Sequence, residues 1–326
     1  MIGLTGSSGF VGAAVVAEAR LRGQSLRMLV RSSVANENLH YEARAIGDLN
    51  CPPLDPAALS GCNVIIHAAA RAHCMDDGGK EELAAYRRTN VNGTIALLAA
   101  MEAAGVHRIV YVSSIKALGE RTRDIPLRPF DERRPEDAYG RSKAEAEDVI
   151  CAAHVAGRVD AVIVRPVLVY GPGAKGNLVR LMTAIRRGQM LPLGGVQNRR
   201  SLVGVSNLAD ALLTVATSAR SISVRSSVAP IYHVADDGVI SSRRLVQVLA
   251  QGLGVAPRLV NVPRWIAVPG ASLLGKGALA RRLFADFEID DEDFRRDFGW
   301  RPKIDLEEGL RLMAGDFARC RPVVLK

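Results

Sequence analysis

The chain has 326 residues, 48% of them apolar by the AVILMFWYC count and 24% charged, which excludes a disordered chain. With 30 glycines and 15 prolines and no short repeat, collagen-like and low-complexity classes are excluded as well. The formal net charge is +9, yet only 5% of the residues are aromatic and no basic block of five residues occurs, so no nucleic-acid partner is expected.

The first half of the chain alternates short β-branched runs with amphipathic stretches. A first strand at residues 1–4 leads through a Gly/Ser turn into a helix at about residues 10–22, and Gly23 stands where the glycine after a helix belongs. The alternation predicts further strands at residues 26–30, 43–47, 64–67, 108–112 and 161–164, and helices at about residues 80–104 and 139–156. Strands separated by helices imply right-handed βαβ units and a parallel sheet covered on both faces.

After Arg165-Pro166 the sequence is rich in turn residues and its elements become shorter. The pattern predicts helices at residues 206–219, 242–253, 291–298 and 306–318, and a strand at residues 231–234 that can rejoin the sheet. Together the elements predict a doubly wound α/β domain at residues 1–170, with return elements in 203–236. A smaller C-terminal substrate-binding lobe is expected at residues 171–202 and 237–326.

A glycine-rich loop joins the first strand to the first helix, where residues 5–12 read Thr-Gly-Ser-Ser-Gly-Phe-Val-Gly. The first glycine permits a tight turn, the second lets the backbone approach a pyrophosphate, and the third lets the helix pack closely on the strand. The helix N-terminus adds free N–H groups and a positive dipole. The loop therefore predicts a Rossmann-type dinucleotide site. Its binding residues are expected to be Gly6, Ser8, Gly9, Phe10 and Val11.

The second strand ends in Val30-Arg31, without the carboxylate that usually holds the ribose 2′-hydroxyl of NAD. An arginine at this position accommodates the 2′-phosphate of NADP. NADP(H) is therefore favoured as the cofactor and NAD(H) is the alternative, in which Arg31 is a solvated loop residue.

Two other segments are placed to meet the cofactor. Asp48 and Leu49 follow the third strand, where they can reach the adenine ring and its amino group. Ala68, Ala69 and Ala70 follow the fourth strand, and their small side chains let the backbone lie against the cofactor.

Tyr139 and Lys143 lie four residues apart at the start of a predicted helix, so their side chains share one face. A neighbouring ammonium and an oxidised nicotinamide both favour the phenolate, and we expect them to lower the pKa of Tyr139 from about 10. Tyr139 can then take a proton from a substrate hydroxyl or return one to a ketone. Lys143 is also expected to bond the cofactor ribose, and Ser114, after the fifth strand, to orient the substrate oxygen. The predicted catalytic residues are Ser114, Tyr139 and Lys143.

With these motifs the sequence resembles the extended short-chain dehydrogenase/reductases, and within them the NAD-dependent epimerase/dehydratase family typified by UDP-galactose 4-epimerase. The matching motifs cover nearly the whole chain, at residues 5–12, 47–49, 90–94, 113–119, 139–143, 165–173, 198–210 and 298–310. The string from Ser114 to Glu120 is similar to bacterial enzymes that act at C4 of UDP-N-acetyl-6-deoxyhexoses in polysaccharide assembly.

The resemblance implies hydride and proton chemistry at C4 of a UDP-linked hexose, and a homodimer formed through the helices at residues 80–104 and 139–156. It implies that an arginine, Arg200, clamps the diphosphate of the substrate. The resemblance also implies that three further residues bind the cofactor, namely Asn90, Pro166 and Val169. The implied substrate-binding residues are Ser114, Lys116, Asn177, Leu178, Arg200 and Arg264.

The sequence departs from the family pattern at three positions. Leu168 stands where the 4-epimerases have an asparagine that touches the diphosphate, and Arg264 is the nearest replacement for a second family arginine. Lys116 occupies the position at which the dehydratases place an acid, so the resemblance argues against 4,6-dehydration. The side chain of Lys116 is either a contact to substrate or a loop charge.

Several functions remain open at this point. A 4-epimerase would retain its cofactor, whereas a 4-keto reductase would release it after each turnover, and the residues do not separate the two. An NADP-dependent reductase of free ketones or aldehydes is a further alternative. So is a non-enzymatic NADP-sensing or RNA-binding scaffold built on the same fold.

The cellular location and the absence of a metal site are predicted from the apolar runs and the cysteine spacing. No apolar run approaches the ~20 residues that cross a bilayer, and the first residues lead into a strand, so neither a membrane span nor a secretory signal is expected. The five cysteines are scattered without C-x-x-C spacing, which favours reduced thiols and no metal site. A cytoplasmic protein is expected.

Overall fold

Seven parallel strands form the main sheet of the protein, which we describe from a computed structural model. The structure describes residues 1–32, 41–72, 80–122, 125–218, 228–273 and 283–320. Its strands are β1 Ile2–Thr5, β2 Leu26–Val30, β3 Glu42–Ala45, β4 Val64–His67, β5 Arg108–Val112, β6 Asp160–Pro166, β7 Leu168–Tyr170, β8 Leu202–Gly204 and β9 Ile231–Val234. The main sheet has the order β3-β2-β1-β4-β5-β6-β9, and β7 pairs with β8 separately. The order reverses between β1 and β4, where doubly wound sheets bind their ligands.

Helices cover both faces of this sheet and build the second half of the chain. They are α1 Phe10–Leu21, α2 Lys80–Arg87, α3 Gly93–Ala103, α4 Ala138–Val155, α5 Asn177–Arg186, α6 Val205–Thr217, α7 Ser242–Leu253, α8 Arg264–Leu273, α9 Glu292–Phe298 and α10 Leu306–Arg319. The predicted Rossmann-type parallel fold is therefore confirmed. No helix within the described ranges combines the length and the apolar character that a bilayer crossing requires.

Alternate residues of the central strands feed two separate cores. Ile65 packs with α3 and α4 on one face, whereas its neighbour Ile66 packs with α1 and α6 on the other. Because successive strand side chains point to opposite faces, buried strands of this kind carry continuous apolar runs. A third core joins α5, α7 and α10 in the second half of the chain. The division into two domains at residue 170 stays a prediction.

The sequence predictions of β2, β4, β5, β9 and α7 agree with the structure residue for residue. The third strand ends at Ala45 rather than at residue 47, because Gly47 has a φ of +105° that an extended strand does not allow. The helix predicted at 206–219 spans Val205–Thr217, and residue 219 lies outside the described residues.

The predicted long helix at residues 80–104 is wrong in one respect. It contains a π turn, Arg88–Asn92, between α2 and α3. The wider turn brings the buried Asn90 side chain to the loop after β4, where its Oδ1 accepts the Arg71 N–H at 2.8 Å. Such π bulges frequently mark functional sites. The sequence pattern also missed α5, α8 and the short β7–β8 pair.

Candidate active site

The loop between β1 and α1 has a shape that only glycine permits at two positions. Gly6 has a φ of +75°, and a Cβ on it would lie 2.6 Å from the backbone nitrogen of Ala69. A Cβ on Gly12 would lie 2.0 Å from the carbonyl oxygen of Gly6. Real Cβ contacts of this length do not occur, so the helix, the turn and the β4 loop approach each other as closely as the sequence predicted.

The N-terminus of α1 is open to an anion. Gly9 is its N-cap, and it has no side chain that could cap the first turn, which also lacks acidic residues. Ser8 and Gly9 are exposed, while Phe10 and Val11 are half-buried beside them. The uncapped N–H groups and the helix dipole therefore fit a pyrophosphate. This cradle is the observation that makes the chain's residues compatible with a dinucleotide.

Arg31 and Asp48 lie next to each other at the same edge of the sheet. The Nε of Arg31 is 3.5 Å from Oδ2 of Asp48. The other oxygen of Asp48 accepts the backbone and side-chain N–H groups of Asn50, both at 2.9 Å, and Asn50 in turn accepts the Thr89 hydroxyl at 2.6 Å. The backbone N–H of Asn50, its side-chain amide and Arg31 together lower the pKa of Asp48 below its usual value. Leu49 packs against the first residue of α3.

The loop after β4 is tied to both neighbouring elements. Ala68, Ala69 and Ala70 are half-buried, and the N–H of Ala69 donates to the Thr5 hydroxyl at 3.2 Å. The Asn90 amide nitrogen donates to the Ser142 hydroxyl at 2.9 Å, which links this loop to α4. Every cofactor-side segment predicted from the first half of the chain thus lies at one edge of the sheet.

Tyr139 and Ser114 are brought together at this edge. Ser114 follows β5 and begins a short 3-10 turn, Ile115–Ala117. Tyr139 lies in the first turn of α4, whose N-cap Asp137 accepts the Gly140 N–H at 2.7 Å. The Ser114 side chain lies beside the Tyr139 phenol, close enough to lower the pKa of the phenol. The two hydroxyl groups can therefore hold one substrate oxygen between them.

The prediction that neighbouring residues lower the pKa of Tyr139 is wrong, because the protein groups around the phenol raise it. Burial raises the pKa of Tyr139 to about 12. The neighbouring Ser114 side chain opposes this shift, and Asp137 and Tyr86 reinforce it. Lys143 lies one turn along α4, but its Nζ donates to the carbonyl oxygen of Val112 at 2.7 Å. The ammonium is thus held against the strand end rather than against the phenol, and Tyr139 remains a proton donor at neutral pH.

Lys143 is itself perturbed by its surroundings. It is 1% exposed, and its Nζ lies 4.1 Å from the centroid of the Tyr111 ring. Burial lowers the pKa of Lys143 to about 7, and Glu147 opposes this shift. The neighbouring His67 is the last residue of β4. It is buried and contacts the Thr5 and Thr94 hydroxyls, and burial lowers its pKa to about 3, so it is neutral.

Beneath this site lies a buried ion pair that sequence reasoning missed. Arg165 donates to both carboxylate oxygens of Glu147, at 2.8 and 2.6 Å, and both side chains are 1% exposed. Glu147 also accepts the Ser113 hydroxyl at 2.5 Å. Tyr139, Lys143 and Glu147 follow each other at four-residue spacing, so the same-face argument could have found this carboxylate. The pair joins α4 to β6 and, through Ser113, to the end of β5, one helical turn from the predicted catalytic residue Lys143.

Lys116 contacts two carboxylates. Its Nζ lies 3.1 Å from Oε1 of Glu120 and forms a second ion pair with the N-cap Asp137. The carbonyl oxygen of Lys116 also packs against α4, so closely that a Cβ added to Gly140 would lie 2.5 Å from it. The side chain thus ties the segment after Ser114 to the helix that carries Tyr139. A contact between Lys116 and substrate stays a prediction.

The remaining predicted residues are dispersed over the second half of the sheet and the lobe. Pro166 ends β6, and Val169 lies in β7, where it pairs with Val203. Asn177 is the exposed first residue of α5, whereas Leu178 is buried in the lobe core. Their role as ligand contacts stays a prediction.

A cavity of about 530 Å³ lies in this lobe. It is lined by residues 195–198, residues 261–263, Phe284 and Asp286. Arg200 lies two residues beyond one of these segments and bridges to Ile240 and Phe287 through its backbone. Arg264 directly follows another and begins α8, but its side chain lies outside the described part of the chain. The two predicted arginines therefore belong to segments that border one cavity.

Comparison with known proteins shows the family of this chain. A family model described as the NAD dependent epimerase/dehydratase family matches residues 2–229. The UDP-glucose 4-epimerase of Vibrio cholerae is 35% identical over 318 residues, which cover 96% of this chain and 94% of that protein. A second relative is a 4-hydroxy-2-methyl-3-oxo-4-farnesyl-3,4-dihydroquinoline-1-oxide ketoreductase of Stigmatella aurantiaca. It is 28% identical over an alignment of 331 positions, gaps included, which covers 94% of this chain and 93% of that protein.

A solved structure, MoeE5 in complex with UDP-glucuronic acid and NAD, is similar with a TM-score of 0.73 at 24% sequence identity. The match covers 98% of this chain and 99% of that one. At this identity the likeness shows the fold alone. The family model and the Vibrio cholerae relative show more, and the chain belongs to the NAD-dependent epimerase/dehydratase family of NAD(P)-dependent enzymes.

Proposed function

We propose that the protein acts at C4 of a UDP-linked hexose, and that it is a UDP-sugar 4-epimerase. The observation that carries the proposal is the position of Ser114 beside the Tyr139 phenol, at the sheet edge that also holds the glycine cradle. The full-length similarity to a UDP-glucose 4-epimerase supports the substrate class.

The chain's own residues perform the proton part of the reaction. Ser114 holds and orients the C4 oxygen, and Tyr139 takes its proton or returns one. With a pKa raised to about 12, Tyr139 carries its proton at neutral pH and is poised to donate it to a ketone. A bound nicotinamide supplies or accepts the hydride at C4. Lys143, whose Nζ donates to the Val112 carbonyl oxygen, carries a positive charge at the end of β5 whenever it is protonated.

NADP(H) is the proposed cofactor. Val30 and Arg31 leave the end of β2 without a carboxylate, and Arg31 is 75% exposed in its side chain, so its guanidinium can reach a 2′-phosphate. The glycine cradle serves NAD(H) equally well, so Arg31 alone carries this preference.

The substrate is proposed to lie between the sheet edge and the lobe, with its diphosphate on Arg200 and Arg264. The cavity bordered by the segments that carry them is large enough for a nucleotide moiety, since ligand pockets span ≈300–1,000 Å³. An arginine binds a phosphate with two parallel hydrogen bonds, which suits a substrate that carries two phosphates. Asn177 and Leu178, at the start of α5, complete the proposed nucleotide contacts.

A 4-keto reductase is the second candidate, and a specific observation favours it. Arg31 suits NADPH, which a reductase must exchange after every turnover, and the Stigmatella relative is a ketoreductase. A 4,6-dehydratase is disfavoured, because Lys116 stands at the acid position and is itself paired with Asp137 and Glu120. Membership of an enzyme family also argues against a non-enzymatic scaffold.

We further infer a homodimer through the outer faces of α3 and α4. Ile95 on α3 is 49% exposed and Val155 on α4 is 61% exposed, and both are apolar. Light scattering is expected to give about twice the 35.0 kDa mass of one chain, and an Ile95→Glu variant is expected to shift toward one chain mass.

Product analysis tests the proposal. Purified protein is incubated with UDP-glucose, UDP-N-acetylglucosamine or a UDP-4-keto-6-deoxyhexose, with NADPH or NAD(P)⁺, and the sugars and the reduced-cofactor absorbance are followed. Interconversion of C4 epimers without net cofactor change supports the 4-epimerase, and stoichiometric NADPH oxidation supports the 4-keto reductase. Absence of turnover on every nucleotide sugar, with cofactor bound, overturns both.

A further inference from the structure

The pair formed by Arg31 and Asp48 lies at the cofactor edge of the sheet. The strands that precede these residues are neighbours, since Val30 pairs with Ala45. Arg31 comes directly after β2 and Asp48 comes three residues after β3. Arg31 therefore emerges beside the glycine cradle that follows β1, and Asp48 emerges one strand further along the same edge.

The two partners differ in how firmly they are held. One oxygen of Asp48 accepts two hydrogen bonds from Asn50, which is held in turn by Thr89. The other oxygen faces Arg31 at 3.5 Å. The side chain of Arg31 is 75% exposed, against 31% for Asp48. The carboxylate is thus anchored, and the guanidinium can turn toward another anion.

We infer that Asp48 is a specificity-determining residue, which competes with the ribose 2′-phosphate for Arg31 and thereby weakens the preference for NADPH over NADH. The inference rests on the proposed cofactor site. A 2′-phosphate that contacts Arg31 must draw the guanidinium from Asp48 and must break the ion pair that the two side chains form. A 2′-hydroxyl requires neither change. Asp48 therefore opposes the phosphate-bearing cofactor selectively.

The test uses two nucleotides that differ only in the 2′-phosphate, 2′,5′-ADP and 5′-AMP. Their dissociation constants are measured by calorimetry at low ionic strength for the wild type, Asp48→Asn, Arg31→Ala and the double variant. Asparagine keeps the shape of residue 48 and its acceptor for Asn50, and thermal melting verifies that each variant is folded. The ratio of the two constants cancels any change in adenine binding that both nucleotides share.

We expect Asp48→Asn to raise the preference for 2′,5′-ADP about two- to fivefold, the range expected for one exposed ion pair. Arg31→Ala should bring the two constants close together, and adding Asp48→Asn to it should restore little of the preference. An unchanged or smaller preference in Asp48→Asn overturns the inference, as does an equal gain in the Arg31→Ala background. Failure of the wild type to bind either nucleotide overturns the cofactor site itself, whereas loss of sugar turnover alone does not affect the binding ratio.

Discussion

The Ser114 side chain lies beside the phenol of Tyr139, and the proposed chemistry depends on the proton that the phenol carries. Tyr139→Phe removes this proton and keeps the ring, so kcat should fall about 10²- to 10⁴-fold while nucleotide binding and melting temperature stay close to wild type. Tyr232→Phe is the matched control, because the Tyr232 hydroxyl donates to Asp297 on α9 and belongs to no part of the proposed site. Equal loss of activity in both variants would contradict the assignment.

Lys143 makes a prediction about stability. Its folded pKa of about 7 lies below the unfolded value of 10.5, so between these pH values the unfolded chain binds more protons. The stability cost of burying this group is therefore complete below about pH 7 and fades as the pH rises toward 10.5. We expect the unfolding free energy of the wild type to rise relative to that of Lys143→Met between pH 7 and pH 10.

Denaturant unfolding at pH 6, 8 and 10 measures this difference. Lys303→Met serves as the control, because Lys303 is 60% exposed and its ion pair with Asp210 raises its pKa, so its contribution should not change in the same direction. A difference for Lys143→Met that is constant over this range contradicts the burial argument.

At the scale of elements, the close approach of β1, α1 and the β4 loop makes the cradle intolerant of side chains. Gly12→Ala places a Cβ 2.0 Å from a backbone carbonyl oxygen, so it should destabilise the fold by about 1–3 kcal/mol and weaken NADP⁺ binding. Gly119→Ala is the control, since its Cβ would lie no closer than 3.9 Å to its nearest neighbour. Calorimetric NADP⁺ titration separates the two, and tight binding to Gly12→Ala would exclude the cradle as the pyrophosphate site.

Elements with a strong periodicity and a glycine or cap at the end were predictable from the sequence, and α7 shows why. It begins after Ser241, which caps the Arg244 N–H, and ends at Gly254 with a φ of +68°. By contrast, α5 follows Gly176, which has a φ of +82° and no capping side chain, so the sequence holds no start signal. The β7–β8 strands have three residues each and form only through pairing across more than 30 residues. A local sequence pattern does not predict long-range contacts of this kind.

In the candidate site, too, local spacing predicts some features, whereas others depend on contacts between distant elements. Tyr139 and Lys143 are separated by one helical turn, and their common face follows from spacing alone. The direction in which Lys143 points does not, because it is decided by the Val112 carbonyl on another strand. The Glu147–Arg165 pair likewise joins residues 18 apart, on different elements, and its existence depends on how α4 packs on β6.

The whole molecule places a nucleotide-sized cavity in the second half of the chain and a dinucleotide cradle in the first. Two ligands are therefore expected to stabilise it separately. UDP at 100 times its Kd should add about 2.7 kcal/mol to the unfolding free energy in the presence of NADP⁺. Arg200→Ala should reduce the stabilisation by UDP and leave that by NADP⁺ unchanged. Indifference of the melting temperature to UDP would instead favour a reductase of free ketones or aldehydes.

Isotope transfer tests the central claim most directly. UDP-hexose deuterated at C4 is incubated with wild type and with Tyr139→Phe in the presence of NADP⁺, and the label is located by mass spectrometry and NMR. For the wild type, deuterium should leave C4 and appear on the nicotinamide or at C4 of the epimer, while in Tyr139→Phe it should move at least about 100-fold more slowly. Retention of all label at C4 of the starting epimer in the wild type, or equal transfer by both proteins, would contradict the account.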